Sequence, residues 1–362
     1  MNDIYKISLV IPNQYIRFKE VLKSVTGQMV GTGVGRNNKK IFKRMGLSLL
    51  VLLTICGITA AIYVYTQLHK ISPSKIDKSP EELGISSSLL ARVDSLKEPP
   101  VNIALFGLDK RPTDKYGNSD AIIILSIDKA GQSIKLSSIM RDTYVKIDSV
   151  GMDKINASYR IGGPQLAVKT INQNFKLNIE DFVSVDFDGM ANVIDALGGI
   201  SLDVKKKEVR WLNSYLYVNA GDTNMKQPYV TKSGLQLLNG KQAVAYTRIR
   251  YVGNDYERTQ RQRTVLRLLL AKMKQEGGSG YTTVITKILP FVETNMSHFA
   301  LLKLGASVFI NNIRTLEERR FPLPEESKGK IIEGVWYLIT DIDATSKSLT
   351  NFIFNDRPKI TH

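Results

Sequence analysis

Five arginines and no lysine lie in the short stretch from residue 246 to residue 263, which reads YTRIRYVGNDYERTQRQR. Guanidinium groups packed this closely repel one another unless an anion lies among them. The planar fork of a guanidinium matches two phosphate oxygens, which a lysine ammonium does less well. The stretch therefore predicts a phosphate-binding site. Its arginines are Arg248, Arg250, Arg258, Arg261 and Arg263.

The elements around this stretch are predicted to aim only some of its side chains at one ligand. YTRIR has the pattern of a strand, on which Arg248 and Arg250 point to the same face. The residues after the VGND turn have the pattern of a helix, on which Arg258 and Gln262 share a face. The N-terminus of that helix would add free N–H groups and partial positive charge. Three further arginines are expected to face solvent: Arg261, Arg263 and Arg267.

Two carboxylates are predicted to lie beside the arginines, at the ends of strands. Asp109 follows an apolar strand pattern in VNIALFGLDKR, and Asp120 precedes another in AIIILSID. If these strands are neighbours, the carboxylates converge at a sheet edge of the kind where α/β folds collect ligands. Magnesium, held by one or two carboxylates and by substrate phosphates, would satisfy such a pair. The alternative is that Asp120 caps a turn and Asp109 lies in a solvated loop.

The fold class follows from the alternation of helix and strand patterns over residues 99–357. AIIILSID is apolar on both faces, as expected of a central strand. A third strand pattern, SIKLSSIM, runs directly into Arg141 and Asp142 and so places both at an edge. We expect a single α/β domain with a central mixed β-sheet flanked by helices.

The first 98 residues are predicted to attach this domain to a membrane. Residues 46–66 contain no charged residue and are long enough for one transmembrane helix. A buried core helix and a cleaved signal peptide are the alternatives. Because the more basic flank comes first, residues 1–45 are expected in the cytoplasm and the domain outside the cell. Residues 67–98, rich in Ser, Pro and Lys, are interpreted as an extracytoplasmic linker.

The composition restricts the chemistry that the domain can perform. A formal net charge of +16 over 362 residues favours anionic partners such as nucleic acid, lipid or phosphate-bearing substrates. The single cysteine, Cys56, falls in the predicted span, so the sequence offers no disulfide framework and no cysteine-based metal site. None of the three histidines lies beside another histidine, a cysteine or a carboxylate pair in the sequence, which leaves almost no material for a Ser-His-Asp or Cys-His mechanism.

Seven blocks occur in an order that resembles the LytR–CpsA–Psr family over roughly residues 100–275. They are LFGLDKR, SDAIIILSID, IMRDTYV, KINASYRIGG, VSVDFDGMANVIDALGGI, LNGKQAVAYTRIR and DYERTQRQR. The resemblance implies a phosphotransferase of the Gram-positive envelope, anchored in the cell membrane. Such an enzyme moves an anionic glycopolymer, for example teichoic acid or capsule, from an undecaprenyl-pyrophosphate carrier to a peptidoglycan hydroxyl.

The resemblance also implies roles for individual residues. Asp109 and Asp120 match the carboxylates associated with Mg²⁺ or Mn²⁺, and Asp109, Arg141 and Arg248 match catalytic positions. A base for the acceptor hydroxyl is still required, for which Asp109 and Asp142 are the candidates. The positions that contact pyrophosphate are Arg111, Arg141, Lys154, Arg248, Arg250, Arg258 and Gln262.

Two residues depart from the family pattern. Asn118 stands before the SD of the second block, where an arginine is common, and its presence removes one expected phosphate contact. Met140 stands where a proline is common and is expected to alter only the turn. The apolar segment FVSVDFDGMANVIDALGGI is interpreted mainly as ordinary core, with covering of a polyprenyl tail as the alternative.

Two other classes of function remain open at the level of sequence. One is a non-catalytic protein that binds polyprenyl pyrophosphate, which the Asn118 departure would suit. The other is an envelope-linked transcriptional regulator, suggested by the basic composition. Nucleic acid is not an expected partner, because no helix-turn-helix or zinc-finger pattern occurs and the domain is predicted to lie outside the cell.

Overall fold

The computed structural model describes residues 46–52, 54–55, 58–59, 74–111, 113–219, 229–250, 255–275, 284–310, 313 and 315–355. The chain divides into two compact units, Met1–Thr66 and Gln67–His362. The described residues of the first unit are helical. The predicted tail 1–45 and the rest of the predicted span 46–66 lie outside the described residues. Over the part of the chain that is described, none of the helices combines the length and the apolar character needed to cross a bilayer.

The second unit is an α/β domain, as predicted. Its strands are β1 (Val101–Asp109), β2 (Asn118–Asp128), β3 (Ser133–Ile139), β4 (Tyr144–Ile147), β5 (Gly151–Lys154), β6 (Asp181–Asp186), β7 (Ile200–Val204), β8 (Gly234–Leu238), β9 (Glu293–Thr294), β10 (Thr315–Phe321), β11 (Ser327–Ile332) and β12 (Val335–Thr340). Its helices are α1 (Ser87–Asp94), α2 (Ala157–Phe175), α3 (Phe187–Ala196), α4 (Lys206–Asn219), α5 (Gly240–Arg248), α6 (Asp255–Gln275), α7 (His298–Ile310) and α8 (Ile342–Thr350).

The central sheet has six strands in the order β10-β3-β2-β1-β6-β9. β10 is parallel to β3 and β1 is parallel to β6, whereas the other neighbours are antiparallel. The predicted mixed sheet and the central place of β2 are therefore confirmed. Three two-stranded ribbons, β4-β5, β7-β8 and β11-β12, lie outside it.

The two faces of the sheet have different coverings, which β1 illustrates. Ala104 and Phe106 point into a core shared with α2, where the ring of Tyr159 meets that of Phe106 edge-on at a centroid distance of 5.0 Å. Ile103 and Leu105, which alternate with them, line an apolar cavity bounded by α6 and α7. β1 is thus covered on both faces, with a packed core on one face and the apolar cavity on the other.

A second core fixes the helices that carry the arginines. It joins the β7-β8 ribbon to α3, α4, α5 and α6, with Leu202, Leu212, Val244 and Val265 all buried in it. Because α5 and α6 both pack on this core, the helices that carry Arg248 and Arg258 are fixed to the same packed unit.

The strand predicted over YTRIR is wrong, because this segment ends a helix. Asn239 and Gln242 form a capping box that begins α5, and α5 continues to Arg248. Short apolar runs such as AVAY suit a buried helix as well as a strand. The spacing of Asn239 and Gln242 was the local signal that favours the helix.

The predicted linker 67–98 also differs from what the structure places there. Leu83 is fully buried, and Leu89 and Val93 of α1 pack into the same core as Phe106. α1 begins after Ser86, whose side chain accepts from the N–H of Leu89. Over residues 74–98 the chain is therefore part of the packed unit, because its apolar residues find a covering beside α2.

Candidate functional site

One edge of the central sheet gathers the ends of four strands. Asp109 at the end of β1 pairs with Asn118 at the start of β2, and Leu108 pairs with Asp186 at the end of β6. β3 ends beside the same part of β2 and leads into Arg141. The register shifts beside Leu108, which leaves Asp120 as the extra residue of a β-bulge. The sequence prediction that Asp109 and Asp120 lie on neighbouring strands at one edge is confirmed.

Asp120 is the centre of the charged cluster at this edge. Arg141 donates from Nη1 to Asp120 Oδ1 at 2.7 Å, and Arg250 donates from Nη2 to Oδ2 at 3.2 Å. Arg258 lies 3.5 Å from Oδ2 through Nη1 and donates from Nη2 to the Asp120 carbonyl at 3.3 Å. Three guanidinium groups from separate segments thus meet on one carboxylate, which is only 13% exposed.

Two further carboxylates hold the same arginines, and neither was part of the predicted binding set. Asp255, at the start of α6, lies 2.9 Å from Arg258 Nε and 3.9 Å from Arg141 Nη2. Asp142 lies 3.3 Å from Arg141 Nε and accepts the ammonium of Lys154 at 2.8 Å. The helix start predicted to bind anions through its N-terminus therefore carries an acid that positions two of the arginines.

The arginines differ in how well the protein compensates their charge. Burial works to lower the pKa of Arg141, but the carboxylates led by Asp120 outweigh it and raise that pKa. Burial lowers the pKa of Arg258, whose side chain is 2% exposed, and neighbouring guanidinium groups add to this effect. Arg258 Nε is close to Asp255, yet makes no hydrogen bond with any described residue. An additional anion beside Arg258 would therefore favour its charged form.

Arg248 lies at the same edge but in an aromatic setting. Its guanidinium carbon lies 4.3 Å from the ring centroid of Phe187 and 5.6 Å from that of Tyr215. Phe187 directly follows β6, the strand beside β1. Rings stacked on a guanidinium fix the orientation of its plane.

The arginines predicted to face solvent are mostly buried, which corrects that prediction. Arg261 is 5% exposed and donates from Nε to Glu208 at 3.0 Å. Arg263 is 8% exposed and lies 3.4 Å from Glu318, to which Arg267 also extends. Of the three, only Arg267 remains exposed. Arg261 and Arg263 are buried because acidic residues from distant segments pair with them. The helix pattern of the sequence does not show which residues pack against each face.

The remaining predicted residues lie around the cluster with fewer contacts. Gln262 is half-buried one turn beyond Arg258 on α6. Arg111 is exposed in the loop between β1 and β2, where its N–H donates to Asp114. Asp109 is exposed and takes part in none of the ion pairs that join described residues. The structure thus brings Asp120, Arg141, Arg250 and Arg258 into direct contact and leaves Asp109, Arg111 and Gln262 at the periphery.

The two residues that depart from the family pattern have definite surroundings. Asn118 accepts a hydrogen bond at 3.2 Å from the Nε of Arg160, a residue that the sequence did not single out. Met140 is 2% exposed, and its carbonyl accepts from Thr143 in the turn that follows β3. Met140 therefore belongs to the packed turn that aims Arg141.

An apolar cavity of about 360 Å³ lies on the α6 face of the sheet, within the range of small-molecule sites. Its walls include Leu105, Leu125, Leu270 and Leu304, while Arg267 borders it. The segment FVSVDFDGMANVIDALGGI, interpreted mainly as core with covering of a tail as the alternative, contributes only Val183 to this wall. Along α6, Leu270 lies about 18 Å beyond Arg258 at 1.5 Å per residue, so one helix connects the cavity to the cluster.

The fold and the site together define an α/β protein with a guanidinium-rich sheet edge beside an apolar cavity, which suits an amphiphilic anion. The model of the LytR_cpsA_psr family matches residues 58–352. The chain therefore belongs to the LytR–CpsA–Psr family, as its sequence blocks indicated.

Relatives of known name agree with this assignment. The polyisoprenyl-teichoic acid–peptidoglycan teichoic acid transferase TagU of Oceanobacillus iheyensis is 32% identical over 313 residues, which are 81% of this chain and 87% of that protein. The crystal structure of Bacillus subtilis TagV is similar with a TM-score of 0.57 and 26% identity, over 71% of this chain and 98% of that one. TagT with bound octaprenyl pyrophosphate lipid has a TM-score of 0.54 and 23% identity, over 71% and 91%, and shares the fold.

Proposed function

We propose that this protein transfers an anionic glycopolymer from an undecaprenyl-pyrophosphate carrier to peptidoglycan. The observation that carries the proposal is the meeting of Arg141, Arg250 and Arg258 on Asp120, at a sheet edge that α6 links to an apolar cavity. A diphosphate with a polyprenyl tail needs both features at once. The named activity of TagU in Oceanobacillus iheyensis is the activity proposed here.

In this proposal the carboxylate of Asp120 contacts the arginines that bind the diphosphate once the substrate is present. Its carboxylate keeps three mutually repelling guanidinium groups within reach of one another. An incoming diphosphate offers more charge and more acceptor oxygens than one carboxylate, so the guanidinium forks exchange towards it. Because the arginines are already assembled, little reorganisation is needed when charge develops in the transition state.

The transfer itself requires positioning and charge neutralisation more than a covalent nucleophile. The acceptor hydroxyl oxygen forms a bond to the phosphorus on the polymer side of the diphosphate. The bond from that phosphorus to the bridging oxygen breaks, and polyprenyl monophosphate leaves with the electron pair. Arg141, Arg248 and Arg258 are placed to stabilise the leaving phosphate, and the hydroxyl proton passes to a base or to solvent.

Between the two candidates for that base, Asp109 suits the role better. Asp142 is buried and already accepts from Lys154 and lies against Arg141. Its carboxylate is thereby occupied in orienting the cations. Asp109 is exposed at the end of β1, where an acceptor sugar can approach it.

Mg²⁺ or Mn²⁺ is the proposed cofactor, held jointly by protein and substrate. The described residues contain no group of three or more His, Cys, Asp or Glu placed to hold a metal alone. Exposed Asp109 fits the Mg²⁺ sites that use one or two carboxylates and complete the shell with phosphate and water. Asp120 would join it once the guanidinium groups have exchanged from its carboxylate towards the diphosphate. A bound divalent cation would supply charge neutralisation at the phosphate oxygens.

Localisation is a proposal of the same kind. The uncharged stretch 46–66, preceded by a basic tail, supports a single transmembrane helix with its N-terminus in the cytoplasm and the α/β domain outside. This orientation brings the arginine cluster to the compartment that contains peptidoglycan. A cysteine introduced at an exposed position of the domain, in a chain with Cys56→Ser, tests it by labelling in intact cells, and labelling only after lysis would contradict it.

The experiment that tests the activity is transfer of a lipid-linked anionic glycan to peptidoglycan by the full chain with Mg²⁺. We expect a product joined by a phosphodiester, with loss of activity in Arg141→Gln and Arg258→Gln. Binding of the lipid without any product would favour the non-catalytic alternative. Salt-sensitive binding of duplex DNA, with no binding of lipid diphosphate, would favour the regulator instead.

A further inference from the structure

Arg160 lies at the edge of the arginine cluster, although neither the sequence blocks nor the family resemblance assigns it a role. It stands in the first turn of α2, and its Nε donates to Asn118 Oδ1 at 3.2 Å. Asn118 is two residues from Asp120 and directly opposite Asp109 in the sheet. One hydrogen bond therefore places the guanidinium of Arg160 at the sheet edge where Asp109 and Asp120 lie.

The backbone around Arg160 is fixed to the same strand end. Both the N–H and the hydroxyl of Ser119 donate to the carbonyl of Asn156 at 3.4 Å. Tyr159, the neighbour of Arg160, is fully buried under Phe106. Because its neighbour is anchored in the core, Arg160 is held on the outside of the first turn.

The charge of Arg160 lacks the compensation that the other arginines have. Arg160 is exposed, and the ion pairs between described residues do not include it. Its terminal nitrogens, Nη1 and Nη2, make no hydrogen bond with any residue that the structure describes. By contrast, Arg141 is in contact with both Asp120 and Asp142. A guanidinium whose Nε is oriented and whose Nη donors remain available is arranged to receive an anion.

Arg160 approaches the edge from the side away from the apolar cavity. α2 covers the sheet face that carries Phe106, whereas α6 and the cavity lie on the face that carries Leu105. A polyprenyl tail in the cavity would place its own phosphate among the arginines of the α6 side. The second phosphate, which bears the polymer, would then extend towards Arg160.

We propose that Arg160, oriented by Asn118, binds the polymer-side phosphate of the lipid diphosphate. This inference rests on the proposed function and names the group within the substrate that Arg160 contacts. Asn118 acts as a positioning residue, since it accepts from Nε and leaves the two Nη groups for the ligand. Asn118, the residue that departs from the family pattern, thus holds a guanidinium from α2 at the sheet edge where Asp109 and Asp120 lie.

Calorimetric titration of the full chain with geranylgeranyl diphosphate and with geranylgeranyl monophosphate tests the inference. We expect Arg160→Gln to weaken binding of the diphosphate about tenfold or more, as the loss of one charge-assisted bond does. Binding of the monophosphate, which lacks the second phosphate, should be unchanged. Arg210→Gln, which removes an exposed arginine from α4, is the matched control and should change neither affinity.

Asn118→Ala provides the second variant. It should weaken diphosphate binding less than Arg160→Gln does, and the double variant should bind no more weakly than Arg160→Gln alone. Equal diphosphate affinity of wild type and Arg160→Gln would overturn the inference while leaving the proposed function intact. An equal loss for diphosphate and monophosphate would overturn the assignment to the polymer-side phosphate. A wild-type chain that binds neither compound would overturn the proposed function itself.

Discussion

Arg261 donates from Nε to Glu208 at 3.0 Å, and both side chains are almost completely buried. The same guanidinium donates from Nη1 to the carbonyl of Ile249 at 3.1 Å. Ile249 stands between Arg248 and Arg250, the two arginines that the end of α5 presents to the site. This buried pair is therefore a support for the site and not part of its ligand-binding surface.

Replacing Glu208 with alanine is expected to reduce the free energy of unfolding by about 3–5 kcal/mol, because the buried guanidinium of Arg261 loses the buried carboxylate opposite its Nε and keeps only the exposed carboxylate of Glu257. Chemical denaturation of the full chain measures this loss. Glu257→Ala is the matched control, since Glu257 pairs with the same Arg261 from a side chain that is 44% exposed. It should cost about 0–1 kcal/mol. Similar losses in both variants would contradict the supporting role of Glu208.

Asp120→Asn is expected to destabilise the protein and to increase its stabilisation by pyrophosphate. Without the carboxylate, Arg141, Arg250 and Arg258 repel one another, with a cost of about 3–5 kcal/mol for the broken buried pair. Inorganic pyrophosphate should restore part of the loss, because in the variant it binds the guanidinium groups without displacing Asp120. Melting temperatures with and without pyrophosphate measure both effects. A smaller pyrophosphate shift in the variant than in wild type would argue that Asp120 helps to bind the ligand directly.

Arg258→Gln is expected to weaken binding of geranylgeranyl diphosphate by about 1.5–3 kcal/mol, or roughly ten- to a hundredfold. The reason is that Arg258 is the most buried arginine of the cluster, so that a lost bond from it to the phosphate is not replaced by water. Calorimetric titration gives the affinity. Arg210→Gln, on the exposed surface of α4, should have much less effect. If both variants lost affinity equally and the loss vanished at high salt, diffuse charge would explain binding better than a site.

Filling the apolar cavity is expected to separate recognition of the tail from recognition of the headgroup. Leu105→Trp adds bulk at the cavity wall and should weaken binding of geranylgeranyl diphosphate at least about tenfold while leaving inorganic pyrophosphate binding unchanged. Overpacking also costs about 1–3 kcal/mol of stability, so melting curves accompany the titrations. Leu105→Met, which conserves volume, is the control and should bind both compounds normally. A Leu105→Trp variant with full affinity for the isoprenoid would exclude the cavity as its binding place.

The order of elements and the chemical character of the site follow from local sequence. Strands β1 and β2 can be recognised from their composition, because a strand buried on both faces is mainly apolar. β3 is less obvious, since it carries the buried polar residues Lys135, Ser137 and Ser138. Asp109, Asp120 and Arg141 then fall at strand ends by counting along the chain. The excess of arginine over lysine near residue 250 indicates phosphate, since guanidinium geometry is a property of the side chain itself.

Local sequence was less informative where two elements compete for the same residues. AVAYTRIR suits a buried helix and a strand equally well, and the pattern suggested the strand. The capping box of Asn239 and Gln242 and the second core around Val244 decide for the helix. As a result Arg248 and Arg250 leave the end of a helix, and they are oriented by separate contacts instead of by strand alternation.

Only the tertiary structure decided which charges meet. Arg261 pairs with Glu208 and Arg263 pairs with Glu318 across separations of 53 and 55 residues. Arg160 donates a hydrogen bond to Asn118 across 42 residues. Helix periodicity states which side chains share a face, but it carries no information about what packs against that face. The sequence therefore determined the kinds of groups that this protein offers to a phosphate. The tertiary structure determined which of these groups support the site and which remain available to bind a ligand. The reason is that long-range pairing depends on how the two cores pack and not on neighbours along the chain.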